Sequence, residues 1–271
     1  MAPSMQIFDT AAVARYNDVG VYHARGLISN EWVARLRAVI DSELSIKKSK
    51  HFAFQEGETG RFLGSQDLWR TDETCREFCT NSTLPRAAAE MLGSDEVNLF
   101  FDHLFVKEPG ASFDTSWHND VPYWPIKGSQ ILSIWIALDR VTRENGALSF
   151  INGSHRWNAK VQPATFGEKA DQRRSMMELS GQIPAELGDY SSLDIDTFEM
   201  EAGDALIFDG KTIHQAGGNH STNMRRRGYV VRYTGDDVLY DPRPGVHKMM
   251  LERSLAPNDR ITCERFPLVW S

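Results

Sequence analysis

Residues 98–107 read NLFFDHLFVK. Aromatic and β-preferring side chains fill the stretch, and Pro109-Gly110 closes it with a turn, so it reads as a strand. Toward the C-terminus the same character recurs in short pieces. Residues 130–138, QILSIWIAL, form a nearly continuous apolar run and predict a buried strand. Residues 147–151 are entered from Asn145-Gly146 and left through Gly153-Ser154. Residues 198–200 and 205–208 flank Gly203-Asp204, which reads as a hairpin-like turn. Residues 228–233, GYVVRY, make a further strand. Many short strands separated by turn signals predict a sandwich or a barrel.

Toward the N-terminus the pattern is helical. In residues 29–46, SNEWVARLRAVIDSELSI, Trp32, Leu36, Val39, Ile40 and Leu44 fall at three-to-four spacing and make one apolar stripe, with Ser29 or Asn30 as the cap. Shorter helices are predicted at 72–79 and at 84–92, the second stopped by Gly93. Residues 160–188 are polar, with a short helix near 169–179. They read as an inserted loop or lid at about 160–190, or equally as an insertion without a role.

The 271 residues are 41% hydrophobic and 25% charged, which excludes a disordered or collagen-like chain. Such a length allows two domains, yet all-β folds of this size are often one. The 30 Lys and Arg against 37 Asp and Glu leave a net charge of -7, which argues against a nucleic-acid-binding face. Three cysteines cannot build a disulfide framework and suit a reducing compartment. No secretory signal and no membrane span are read, so the expected location is the cytoplasm. Seven Trp and eight His stand out against this ordinary background.

Trp117-His118-Asn119-Asp120 is the first informative site. In an extended strand, residues two apart share a face, so His118 and Asp120 can present a nitrogen and an oxygen to one point, with Asn119 facing away. Alone, such a pair is as well read as a hydrogen-bonded surface pair. Further on, Gly203–His214 reads as turn, strand, then a histidine just past the strand's end. His214 completes a set of two histidines and one carboxylate, the facial triad of non-haem Fe(II) oxygenases. The third element is Arg225-Arg226-Arg227-Gly228, which opens the next strand. A dicarboxylate co-substrate that chelates iron at one end leaves a far carboxylate, and arginine grips such a group through two parallel bonds. Arg226, with the small Gly228 two residues along the same face, fits that task. A basic surface cluster explains at least one of the three.

These stretches resemble the phytanoyl-CoA dioxygenase family of Fe(II)/2-oxoglutarate oxygenases. The likeness lies in DHLFVKEPG (102–110), WHNDVPYWP (117–125), SIWIALDRVTRENGALSFINGSHRW (133–157), GDALIFDGKTIHQAGGNHS (203–221) and RRGYVVRYTGDD (226–237). The resemblance covers roughly residues 61–244. It implies a mainly β chain, a double-stranded β-helix (jelly roll, cupin-like) with N-terminal and flanking helices. The expected layout is a single domain over 1–271, with a helical flank at about 1–95 and a core at about 96–240. By position His118, Asp120 and His214 would hold Fe(II), with 2-oxoglutarate and O2 as co-substrates. Counting from His214 favours Arg225 as the anchor for 2-oxoglutarate, while counting back from Tyr233 favours Arg226. Strands keep register and loops absorb insertions, so Arg226 is taken. Trp135 and His103 match positions lining the co-substrate pocket. Ala216 stands where a co-substrate-contacting Ser can occur in the family. The carboxylate at Asp120 argues against halogenation, because related iron halogenases replace it by Gly or Ala.

The expected activity is oxidation of a small, mostly apolar molecule, by hydroxylation or a related radical outcome, in secondary metabolism. The alternatives are an acyl-CoA hydroxylase of the phytanoyl-CoA type, a non-catalytic jelly-roll binding module, and a zinc hydrolase on the same three ligands. The expected partners are a small-molecule substrate and, beyond it, a second copy of the chain in a homodimer. Tyr123 and Trp124 are read as cavity or core residues, His155 as structural, and Cys75 and Cys79 as buried thiols.

Overall fold

Successive side chains of a strand point to opposite faces, and in this chain both faces are apolar. The computed structural model describes residues 6–45, 52–55, 60–157 and 193–271. The segment expected as an insert at about 160–190 lies outside the described residues. In chain order the elements are α1 (Thr10–Val19), β1 (Val21–Ala24), α2 (Asn30–Ser45), β2 (Phe52–Gln55), β3 (Phe62–Gln66), α3 (Glu73–Asn81), α4 (Leu84–Leu92), β4 (Val97–Lys107), β5 (Thr115–His118), β6 (Ile126–Lys127), β7 (Ile131–Ala137), β8 (Leu148–Ile151), β9 (Ile195–Phe198), β10 (Ala205–Asp209), β11 (His214–Ala216), β12 (Arg226–Thr234), β13 (Leu239–Tyr240) and β14 (Leu268–Trp270). A large antiparallel sheet runs β1-β10-β7-β12-β4-β3-β2, with β14 pairing the start of β4. A smaller sheet runs β5-β11-β8-β9, and β6 pairs β13.

Alternation along the central strands explains how these layers stack. Leu132, Ile134 and Ile136 of β7, with Tyr229, Val231 and Tyr233 of β12, pack with Leu36, Ile40, Phe78, Cys79, Leu84 and Ala88 of the helices. The residues between them, Trp135, Ala137 and Val230, turn the other way with Leu206 and Phe208 of β10. They pack with Leu148 and Phe150 of β8 and Ala216 of β11. Helices therefore cover one face of the large sheet and the smaller sheet covers the other, as in a jelly roll. Burying each large apolar side chain contributes about 1.5–3 kcal/mol, and both faces of β7 and β12 collect it.

The helices predicted at 29–46, 72–79 and 84–92 form with ends shifted by no more than two residues, and the short one near 169–179 lies outside the described residues. Their caps are in place: Ser29 Oγ accepts from the Trp32 N–H at 3.3 Å, and Asp72 Oδ1 accepts from the Cys75 N–H at 2.8 Å. The segment at 1–95 is not purely a helical flank, because β1 and β3 come from it and join the large sheet. A four- or five-residue strand offers too few alternations to stand out from its neighbours. The turn at Gly203-Asp204 is not a hairpin. β9 pairs β8 in the small sheet and β10 pairs β7 and β1 in the large one, so this turn carries the chain between sheets. Asp204 clamps the crossing by accepting from the N–H groups of Gly26 and Glu201. Among the described residues no helix is long and apolar enough to cross a membrane.

Candidate active site

Two elements of the small sheet and one turn bring His118, Asp120 and His214 together. His118 ends β5, His214 opens β11, and the two stand opposite each other in the strand register. Asp120 is not on an extended strand. Its φ of -78° and ψ of -40° are helical, and it caps a short 3-10 turn at Val121–Tyr123. That corrects the expected two-apart geometry: a turn, not strand alternation, swings the carboxylate back beside the imidazole. The Asp120 and Val121 N–H groups both donate to the Gly210 carbonyl, which holds the turn against the end of β10. One ligand atom from each of the three residues lies within 4.8 Å of the others, and all three are buried.

The ring orientations follow from local hydrogen bonds. His118 Nδ1 lies 2.7 Å from the Ser116 carbonyl and His214 Nδ1 lies 3.0 Å from the Thr212 carbonyl. A carbonyl only accepts, so each Nδ1 carries the proton and each Nε2 is left with its lone pair. His118 Nε2 sits 3.7 Å from Asp120 Oδ1. Burial, then the neighbouring His118, hold the His214 imidazole down to about 4, so it is neutral at pH 7. Burial alone would raise the Asp120 carboxyl, but Arg232, His214 and His118 outweigh it and keep the group below its ordinary value. Ser133 Oγ donates to Asp120 Oδ2 at 3.4 Å, and Phe150 stacks on His214 with ring centroids 5.5 Å apart.

Arg225, Arg226 and Arg227 separate cleanly. Arg225 is exposed and pairs with Asp41 and Glu108. Arg227 pairs with Asp139 and Asp41. Arg226 points inward, is 2% exposed, and donates from Nη2 to the Gly146 carbonyl at 2.8 Å. Its Nε has no hydrogen-bond partner among the described residues. In register opposite it stands Lys107, a buried cation that the sequence reading passed over as the end of a strand. Lys107 Nζ donates to the Phe113 and Gly217 carbonyls and lies 4.7 Å from the Phe62 ring centroid. Among the described residues neither cation forms an ion pair. Burial lowers both groups, Arg226 to about 10, and Arg226 adds to the lowering at Lys107. Two buried cations side by side make a place for an anion.

Gly228 does not leave open room for a co-substrate, as the strand pattern suggested. A Cβ there would land inside the Trp135 indole, so the glycine makes room for that ring. Trp135 in turn lies under Arg226, 5.2 Å from guanidinium carbon to ring centroid. His103 and Trp135 both oppose Val230 of β12, so the three form one row across the inner face. His103 packs on Phe105 at 3.8 Å between ring centroids, and burial holds it well below its ordinary value. Trp124 is buried with Phe100 and Phe101, and Tyr123 packs beside them. His155 bonds the Asn17 carbonyl at 3.0 Å, away from the triad, and Cys75 and Cys79 are buried free thiols. Lys107, Ser133 and Arg232 are the inner residues that the sequence reading missed. The only advance signal was their place, two apart from other inward positions on the same strands.

A family model described as Phytanoyl-CoA dioxygenase matches residues 16–227. The dioxygenase cdmD of Talaromyces verruculosus is 22% identical, over 79% of this chain and 70% of that protein. A probable phytanoyl-CoA dioxygenase of Caenorhabditis elegans is 26% identical, over 72% of this chain and 60% of its own length. The chain thus spans less than two thirds of the nematode relative. Among solved structures, the non-haem alpha-ketoglutarate-dependent epimerase SnoN from nogalamycin biosynthesis superposes with a TM-score of 0.74. It is 25% identical, and the match covers 96% of this chain and 98% of that one. The carbocyclase SnoK from the same biosynthesis, 24% identical, gives 0.75 and covers 97% and 96%.

Proposed function

We propose that this chain, which belongs to the phytanoyl-CoA dioxygenase family, is a non-haem Fe(II)/2-oxoglutarate-dependent dioxygenase acting on a small, mostly apolar molecule in secondary metabolism. The observation that carries this reading is the pairing of two sites on one inner surface: the His118, Asp120 and His214 cluster, and the buried Arg226, whose Nε has no partner among the described residues. The donor set fits iron. Two imidazoles and one carboxylate would hold the metal while leaving positions open for co-substrates, and the cluster holds no thiolate to favour structural zinc.

His118 and His214 would offer Nε2, each ring held by its Nδ1–H bond to a carbonyl. Asp120 would supply the anionic ligand, steadied by Ser133. Arg226 would take the far carboxylate of 2-oxoglutarate, and Lys107, opposite it in register, would add a second positive charge at that end. The buried Trp135 and His103 would wall the co-substrate from solvent. When bound, iron and 2-oxoglutarate supply the oxidising chemistry, with O2 consumed and succinate and CO2 formed. The protein supplies placement and a dry pocket.

Apolar lining supports the substrate class: Phe101, Phe105, Trp124 and Val230 face the inner side. The net charge of -7 disfavours a polyphosphate handle such as that of an acyl-CoA. Three free thiols suit the cytoplasm. To test the reading, Fe(II) and 2-oxoglutarate are added without oxygen and the visible charge-transfer band of the chelate is recorded. A band, followed by succinate formation in air, is expected. Absence of both refutes the enzyme.

A further inference from the structure

Arg232 is the buried group of this pocket to which the iron and 2-oxoglutarate reading gives no task. It lies on β12 six residues beyond Arg226, which puts the two about 20 Å apart along the strand. It opposes Ser133 of β7 and Phe101 of β4, so it shares their inward face. The residue is 6% exposed. Nη2 makes one long contact of 3.5 Å to Asp120 Oδ2, and Nε and Nη1 have no hydrogen-bond partner among the described residues. The guanidinium carbon lies 4.5 Å from the Phe101 ring centroid and 5.3 Å from that of Trp124.

This support is built by the backbone. The register between β4 and β12 shifts at Arg232/Tyr233, which leaves Phe100 as an extra residue on β4. Strict alternation would put Phe100 and Phe101 on opposite faces. The bulge instead sends both into one aromatic cluster with Trp124. The guanidinium therefore rests on flat rings, with two donors left over beside the metal ligands. An arginine placed only to steady Asp120 would be expected to meet that carboxylate with two parallel bonds, not with one long contact.

Charge points the same way. Asp120 and the chelating carboxylate of 2-oxoglutarate together meet the two positive charges of the iron, and Arg226 with Lys107 faces the far carboxylate. Lys107 at the far end and Arg232 at the metal end then each leave one positive charge over in a buried space. We propose that Arg232 binds an acidic oxygen of the substrate, a carboxylate or an ionised hydroxyl, through one of the two N–H edges that lack a partner among the described residues, Nε or Nη1. The substrate is thus apolar with one acidic group, oriented by that group toward the metal side. For its charge balance this inference rests on the iron reading. The matched family stretch ends at residue 227, short of Arg232.

The probes are benzoate and benzamide, alike in shape and different in charge. Each is titrated calorimetrically without oxygen into protein loaded with Fe(II) and 2-oxoglutarate, and again into metal-free protein. Benzoate is expected to bind about tenfold tighter than benzamide, the gain of one charge-assisted hydrogen bond. Arg232→Gln should abolish that preference and Arg232→Lys should keep part of it. The 2-oxoglutarate midpoint of both variants, and the Fe(II) affinity of the charge-keeping Arg232→Lys, should stay within about twofold of wild type. Equal affinities in the wild type, no benzoate binding, or a preference that survives Arg232→Gln overturns the proposal. A weakened 2-oxoglutarate midpoint overturns it in favour of the chelating carboxylate, and weakened Fe(II) binding in Arg232→Lys overturns it in favour of a role at Asp120. The wild-type comparison decides even where Arg232→Gln does not fold. A missing charge-transfer band refutes the iron reading alone, and the metal-free titration still decides on Arg232.

Discussion

Three consecutive arginines at the head of β12 have the same side chain and different surroundings. Arg225 turns to the surface and the largely covered Arg227 to the opposite face from the pocket, where they share Asp41, while Arg226 between them is buried over Trp135. Strand alternation sorts them, and counting back along the strand from Tyr233 picked the inward one. Counting from His214 picked Arg225, because the loop between β11 and β12 keeps no register. Arg226→Ala should therefore weaken 2-oxoglutarate binding about tenfold to a hundredfold, read from the charge-transfer titration, since it removes charge-assisted bonds worth about 1.5–3 kcal/mol. Arg225→Ala should leave the midpoint within about twofold. It should also cost less than about 1 kcal/mol of stability, because exposed ion pairs are weak. The opposite ranking would place the anchor one residue earlier. Lys107 escaped notice at this scale because a lysine at a strand end usually marks solvent, and nothing local tells that a neighbouring strand and loop will close over it.

At the scale of elements, the central strands were legible and their connections were not. The apolar run at 130–138 could only be a buried strand or a buried helix, and its length and flanks chose the strand. Whether the turn at Gly203-Asp204 joins paired strands depends on where β8 and β7 lie, which is tertiary information. The same holds for Asp120, whose turn is held by the Gly210 carbonyl from a remote segment. Gly228 shows an element serving the site through packing. Gly228→Ala should drive a methyl into the Trp135 indole and destabilise the fold by about 1–3 kcal/mol. It should also loosen 2-oxoglutarate binding, because Trp135 underlies Arg226. Thermal melting and the charge-transfer titration read the two effects separately. Unchanged values in both would mean that the indole has space to move aside.

At the scale of the whole molecule, the helical side of the large sheet buries a carboxylate that the pocket does not use. Asp102 is fully buried on β4, accepts from the Tyr229 hydroxyl, and accepts from the Trp69 N–H at 3.1 Å. Burial, only partly offset by these bonds, pushes its carboxyl up to about 7. A raised folded value means that the native state holds a proton the unfolded chain has lost. Its contribution is thus full below about pH 4 and lost as the pH rises toward 7. Asp102→Asn should remove that slope and make the protein more stable than wild type at pH 8, by on the order of 2–4 kcal/mol. Denaturant titrations of both proteins at pH 5 and pH 8 measure the difference, and parallel pH profiles would refute it.

The mainly β architecture, the helices α2, α3 and α4 and the membership of the dioxygenase family were all readable in the order of residues, while α1 was not expected. Each rests on local periodicity, on caps and turns, or on motifs whose spacing survives in a single chain. The set of His118, Asp120 and His214 was legible through its motifs, although a turn and not strand alternation brings Asp120 beside His118. The packed fold alone decides which sheet each strand joins, which of three arginines is buried, and that Lys107, Ser133 and Arg232 meet the same inner surface. Burial and unmet hydrogen bonds belong to contacts between residues distant in the chain, and no pattern within a single strand encodes them.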